Sequence, residues 1–149
     1  MDLTDLQYMT LLISILALVV AAGTFVLRWE DRRTNFKVEA TRDERHDMLI
    51  LTIINRGQGE ATISRLFLAV YQGRSRIGER ELTRSSFQGD YDLPMRILSG
   101  DRASFPTEIG FLKLQMKHHN YADGWYLLEP IAEDGRGKQH KGDKVWFEI

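Results

Sequence analysis

The chain has 149 residues, with 20 basic and 21 acidic side chains, no cysteine and a net charge of −1. Without cysteine it can form neither disulfides nor cysteine-ligated metal sites. Near-neutral charge offers no basic stripe of the kind that binds nucleic acid. Setting aside one membrane-length segment leaves about 120 residues, enough for a single domain with its own core.

From Leu6 to Leu27 there is no charged residue, and Met9–Leu27 reads MTLLISILALVVAAGTFVL. As a helix this stretch rises about 28 Å, close to the hydrocarbon thickness of a bilayer. In lipid a lone segment can pair its backbone groups only as a helix, so its β-branched residues do not count against one. Met9, Leu12, Leu16, Val20, Phe25 and Leu27 are the predicted membrane anchor. Tyr8 and Trp29 bracket them at the depths where amphipathic rings settle. Thr4 and Gln7 fit a capping box at the helix start. A cleaved signal peptide needs a basic leader, whereas residues 1–7 carry Asp2 and Asp5 and no Lys or Arg. Arg28, Arg32, Arg33 and Lys37 follow the helix, and basic flanks stay cytoplasmic. The expected arrangement is therefore single-pass, with the N-terminus outside and the C-terminal domain cytoplasmic. Ser14, Ala17 and Ala21 form a stripe of small residues that would permit helix–helix contact.

The predicted domains are residues 1–34, helix and charged linker, and residues 35–149, a β-rich domain. In the latter, Phe36, Val38 and Ala40 alternate with charged residues as in a half-buried strand. Met48–Ile54 is almost wholly apolar and ends at Asn55-Arg56-Gly57, which predicts a central strand buried on both faces. Ala61–Gln72 places Leu66, Leu68 and Val70 on one face and Phe67, Ala69 and Tyr71 on the other. The second face needs a cover, and Phe67 and Tyr71 are the candidate partner face. Gly73–Asp92, with Arg74, Arg76, Arg80 and Arg84, is read as a long solvated loop or a ragged edge hairpin, with an arginine-lined contact with lipid headgroups or a partner as the functional alternative. Leu93–Leu98 and Arg102–Phe105 are predicted strands around Ser99-Gly100-Asp101. Residues 109–121 lean to a short helix. Trp125–Ile131 and Val145–Ile149 are the last two strands.

These strands, about seven in number, predict an antiparallel sandwich. The segments NRGQGEATISRLFL, ILSGDRASF and EDGRGKQ give a layout that resembles immunoglobulin-like β-sandwiches over residues 35–149. The resemblance implies architecture and no particular activity.

No chemistry-bearing motif emerges. His46, His118, His119 and His140 show no metal-ligand spacing and are read as surface residues; the rings of the adjacent pair His118 and His119 should point apart. Gly57-Gln58-Gly59 and Gly135-Arg136-Gly137 read as hairpin turns, since no helix follows to hold phosphate. Asp90-Tyr91-Asp92 lacks the further ligands of a calcium or glycosidase site. Trp125, Tyr126, Trp146 and Phe147 are assigned to core packing or an edge seal. No catalytic, cofactor or metal residue is assigned. The expected function is a non-enzymatic, membrane-anchored interaction module, an accessory or scaffold subunit, whose partners are membrane lipid and a protein or a second copy. The alternatives are a membrane effector or toxin-like component whose helices oligomerise, and a periplasmic binding domain.

Overall fold

The computed structural model describes residues 3–31 and 34–149, with side chains for 7–26 and 34–149. The chain forms two units, divided between Asp31 and Thr34. The first is one continuous helix, α1 (Leu3–Asp31). Its stretch Gln7–Val26 has a mean hydropathy of 2.5 and none of it is buried within the chain. This stretch is long and apolar enough to cross a bilayer. Tyr8, Met9, Leu12, Leu16, Ala17, Val20, Ala21 and Phe25 all point outward. The hydroxyls of Ser14 and Thr24 are satisfied within their own turns: Ser14 Oγ donates to the Thr10 carbonyl at 2.8 Å, and Thr24 Oγ1 lies 3.0 Å from that of Val20. Arg32 and Arg33 lie outside the described residues, as do the side chains of Thr4, Leu27, Arg28 and Trp29.

The second unit, from Thr34 onward, is a sandwich of two antiparallel sheets. β1 (Phe36–Asp43), β2 (Met48–Asn55) and β6 (Arg102–Glu108) make the smaller sheet, in the order β1-β2-β6. The larger has β3 (Ala61–Gln72) and β7 (Trp125–Asp134) at its centre. On the far side of β3 lie β4 (Ser75–Leu82) and β5 (Met95–Ile97); on the far side of β7 lie β8 (Gln139–Lys141) and β9 (Val145–Glu148). The core lies between the sheets, where Leu51, Ile53, Leu66, Leu68, Val70, Phe105, Leu128 and Phe147 are buried. Each contributes about 1.5–3 kcal/mol by leaving water.

Nine strands form where about seven are expected, and the two additions are β4 and β8. β4 carries charge on both faces because it is an edge strand, and β8 is three residues long. A second correction concerns β2, which is central but buried on one face only. Leu49, Leu51 and Ile53 point inward, while Ile50, Thr52 and Ile54 are half-buried on the open side of a three-stranded sheet.

α2 (Ile109–His118) follows β6 directly and buries Ile109, Leu112 and Met116, the i, i+3, i+7 face of a helix rather than an alternating one. It stops at a Schellman turn. Asn120 takes the left-handed conformation (φ 65°), and Tyr121 N–H donates to the Met116 carbonyl at 3.1 Å.

Pro130 sits in the middle of β7, where a missing N–H would normally break a ladder. Its carbonyl accepts from Gly142 N–H at 2.8 Å, so its nitrogen faces the same side, where β8 has ended and β9 has not begun. Gly142 fills that gap because no side chain fits: an added Cβ would strike the Val38 carbonyl and lie 2.9 Å from Pro130 Cγ. Here the two sheets meet along one side.

Candidate interaction surface

The chain joins the sandwich at one end, termed the base, and Asn55 organises it. Asn55 is fully buried. Its side-chain amide donates to the carbonyls of Gly59 (2.7 Å) and Ile97 (3.2 Å), and its Oδ1 accepts from Gly57 N–H (2.9 Å). Its backbone N–H donates to Asp101 O at 3.0 Å, and its carbonyl accepts from Gly100 N–H at 2.8 Å. Arg56 N–H donates to Asn35 O at 2.7 Å, and Ser99 Oγ donates to Gly57 O at 2.5 Å. One asparagine thus fastens loops 55–60 and 97–102 to the point where the chain arrives.

A third loop, 134–138, completes the base. Asp134 Oδ1 accepts from the N–H groups of Arg136 (2.9 Å) and Lys138 (3.0 Å), while the His140 ring nitrogen Nε2 donates to Oδ2 at 3.0 Å. Burial alone would raise the Asp134 pKa, but the His140 hydrogen bond and the two backbone donors outweigh it and hold the carboxyl below its ordinary value. The His140 ring packs 5.1 Å from that of Phe36, the first residue of β1, and Gly135 N–H donates to Thr62 O. His140 is therefore buried, not a surface residue. The sequence signal was available: Asp134 and His140 flank a glycine-rich turn on opposite strands of one hairpin. The base presents Arg56, Arg102, Arg136 and Lys138, all exposed and, among the described residues, in no ion pair. Leu98 stands among them 58% exposed, while Arg96 is paired with Glu60 at 3.4 Å.

The outer face of the larger sheet differs along its length. Near the base Phe67, Ala69 and Ile131 form a small buried cluster. Arg65 lies over the Phe67 ring at 5.1 Å and grips Glu133 with two nitrogens. Tyr71 donates to Glu129 at 2.9 Å, which raises the phenol's pKa, and Lys144 Nζ stands 3.6 Å from its ring centre. Phe67 is thus covered from within the chain and Tyr71 half-covered. Toward the other end, the tip, the face is bare. Trp125 and Trp146 are 56% and 62% exposed, with ring centres 6.3 Å apart. Core packing accounts for Tyr126 and Phe147 but not for these two indoles, because alternation along β7 and β9 sends them to the solvent side.

The remaining candidates resolve into structure. Asp90 and Asp92 both bind Arg84, the latter at 3.2 Å, and Arg76 pairs with Glu79. His46 bonds Asp43 at 2.8 Å across the β1–β2 turn. The His118 and His119 rings stand edge to face at 5.7 Å, closer than their adjacency implies, because the helix unwinds at His119. Lys37, counted with the topology residues, pairs with Glu39. Among the described residues no three metal-ligating side chains come together.

No protein-family profile matches the chain, and no curated protein matches it in sequence. Solved structures that match the chain include a putative ApaA protein from Bordetella pertussis, at 12% identity over 79% of this chain and 94% of that one, with a TM-score of 0.37. Another is the ligand-binding region of serine-glutamate repeat protein A from Enterococcus faecium, at 12% identity over 78% and 89% of the two chains, with a TM-score of 0.32.

Proposed function

We propose that the chain is a membrane-tethered, non-enzymatic interaction module that holds a protein partner at the cytoplasmic membrane surface. The observation that carries the reading is α1: a wholly outward-facing apolar stretch of bilayer length, followed directly by a self-contained sandwich. Tethering raises the local concentration of the domain and strengthens weak contacts without new chemistry. The Trp125–Trp146 pair is the partner contact, since exposed indoles grouped on a sheet face are the residue type on which interfaces most depend. The basic residues Arg28, Arg32, Arg33 and Lys37, which follow the helix, support a cytoplasmic domain.

Three measurements test this reading. The chain should stay in the membrane pellet after alkaline extraction; release into the supernatant refutes the tether. A phosphatase fused after Ile149 should be inactive, and activity, which requires export, reverses the orientation. A photo-crosslinker at position 146 should give a discrete protein adduct, and W125A/W146A should weaken the association at least about tenfold with the urea midpoint unchanged. An association indifferent to both indoles removes them from the interface.

A further inference from the structure

Four exposed cations that form no ion pair among the described residues, Arg56, Arg102, Arg136 and Lys138, lie on the three loops at the base, with the exposed Leu98 on one of them. The base is also the end to which α1 is joined. Chain length limits how far it can stand from the bilayer. From Val26, the last residue of the apolar stretch, α1 continues to Asp31 and rises about 7.5 Å. Asn35 is already bonded into the sandwich by Arg56, and the four residues from Asp31 to Asn35 can span at most about 14 Å. A headgroup layer takes up about 6 Å of that total. Asn35, the attachment point of the base, therefore stays within about 15 Å of the headgroup surface. β1 alone carries the tip about 26 Å beyond the base.

We propose that the base is a docking surface for anionic lipid headgroups, with Arg56, Arg102, Arg136 and Lys138 as the contacting groups and Leu98 as a shallow apolar insertion. This rests on the reading of α1 as a membrane span. The loops are built for the task, because Asn55 and Asp134 fix their backbones while leaving the cationic side chains free. Arg32 and Arg33 add charge in the same short stretch of chain. Each basic residue near an acidic surface adds attraction that decays within a Debye length of about 8 Å. A domain docked by its base brings the four cations into that layer. Among the arginines of Gly73–Asp92, Arg76 and Arg84 are already paired, and Arg74 lies on the β3–β4 turn at the tip.

The test uses the full chain, whose lack of cysteine makes a single introduced thiol unique. Gln58→Cys places a fluorophore at the base and Glu44→Cys one near the tip. Each variant is reconstituted into vesicles that contain a headgroup-quencher lipid and either phosphatidylcholine alone or about 30 mol% phosphatidylglycerol. In acidic vesicles, quenching at position 58 should exceed that at position 44 by at least about twofold, and the excess should shrink in about 1 M salt. R56E/R102E/R136E/K138E should abolish the excess, and R136E/K138E alone, on the turn held by Asp134, should remove about half of it. An excess that survives charge reversal, or is equal in neutral vesicles, reflects the tether alone and overturns the proposal. Equal quenching at both positions, from a domain lying on its side, overturns it too. A chain that does not float with vesicles refutes the membrane span itself, and the lipid surface falls with it.

Discussion

Replacing Asn55 with alanine should be among the most damaging single changes in the sandwich. The variant strands the Gly57 N–H and the Ile97 carbonyl, whose residues are both buried; the Gly59 carbonyl is exposed and can turn to water. Two buried groups without partners cost about 1–2 kcal/mol each, and the small cavity adds about 1 kcal/mol. The expected loss is about 3 kcal/mol, a large share of the 5–15 kcal/mol by which domains are typically stable. For a domain of this size that lowers Tm by about 12 °C, or the urea midpoint by about 1–2 M. The assay is urea unfolding of the full chain in detergent micelles, followed through the β-sheet signal in circular dichroism. Asn55→Asp keeps the acceptor for Gly57 but aims a carboxylate at two carbonyl oxygens, so it should be no milder than alanine. Gln58→Ala, on an exposed side chain of the same turn, should change stability by less than about 0.5 kcal/mol. If Asn55→Ala costs less than about 0.7 kcal/mol, the base is not organised by this residue.

Asp134 gives the domain an acid limb. Its folded pKa is lowered, so its contribution is present above the unfolded value of about 3.9 and fades as pH falls through the lower folded value; the urea midpoint should drop more steeply below about pH 4 in the native chain than in Asp134→Asn, and parallel profiles would refute this. Phe67→Ala should cost the isolated protein about 3 kcal/mol, because the ring is 95% buried beneath Arg65; an unchanged urea midpoint would return Phe67 to the partner face. Thr107 buries a hydroxyl without a hydrogen-bond partner, so Thr107→Val should raise stability by about 1 kcal/mol, and a loss on denaturation would show that the hydroxyl is satisfied.

Sequence pattern reveals α1 because length and absence of charge are cumulative signals, and it reveals β3 because Ala61–Gln72 is a long apolar, β-branched and aromatic run between glycine turns, even though its inward face switches at the irregularity between Ile63 and Arg65. β4 escapes because its SRIGEREL segment has no apolar face, its place being fixed by pairing with β3 rather than by burial. β8 escapes because its one inward residue is His140, polar in type yet buried by its bond to Asp134. Asn55 looks like punctuation before a glycine turn; its burial follows from loops 97–102 being brought against it from far along the chain. The aromatics of β7 and β9 alternate, with Tyr126 and Phe147 inward and both indoles outward, but which face meets solvent depends on which sheet packs opposite, and no local pattern records that.

The free margins of the larger sheet bear on how copies behave when packed side by side. Strands of neighbouring molecules, all oriented alike in one layer, would join into a continuous ribbon if their borders were flat and unguarded. β4 carries Arg76, Glu79 and Glu81 along its rim, and its pairing slips by one residue between Val70 and Tyr71. β9, on the other margin, is only four residues long. A crowded two-dimensional array of this protein can therefore remain a population of separate molecules.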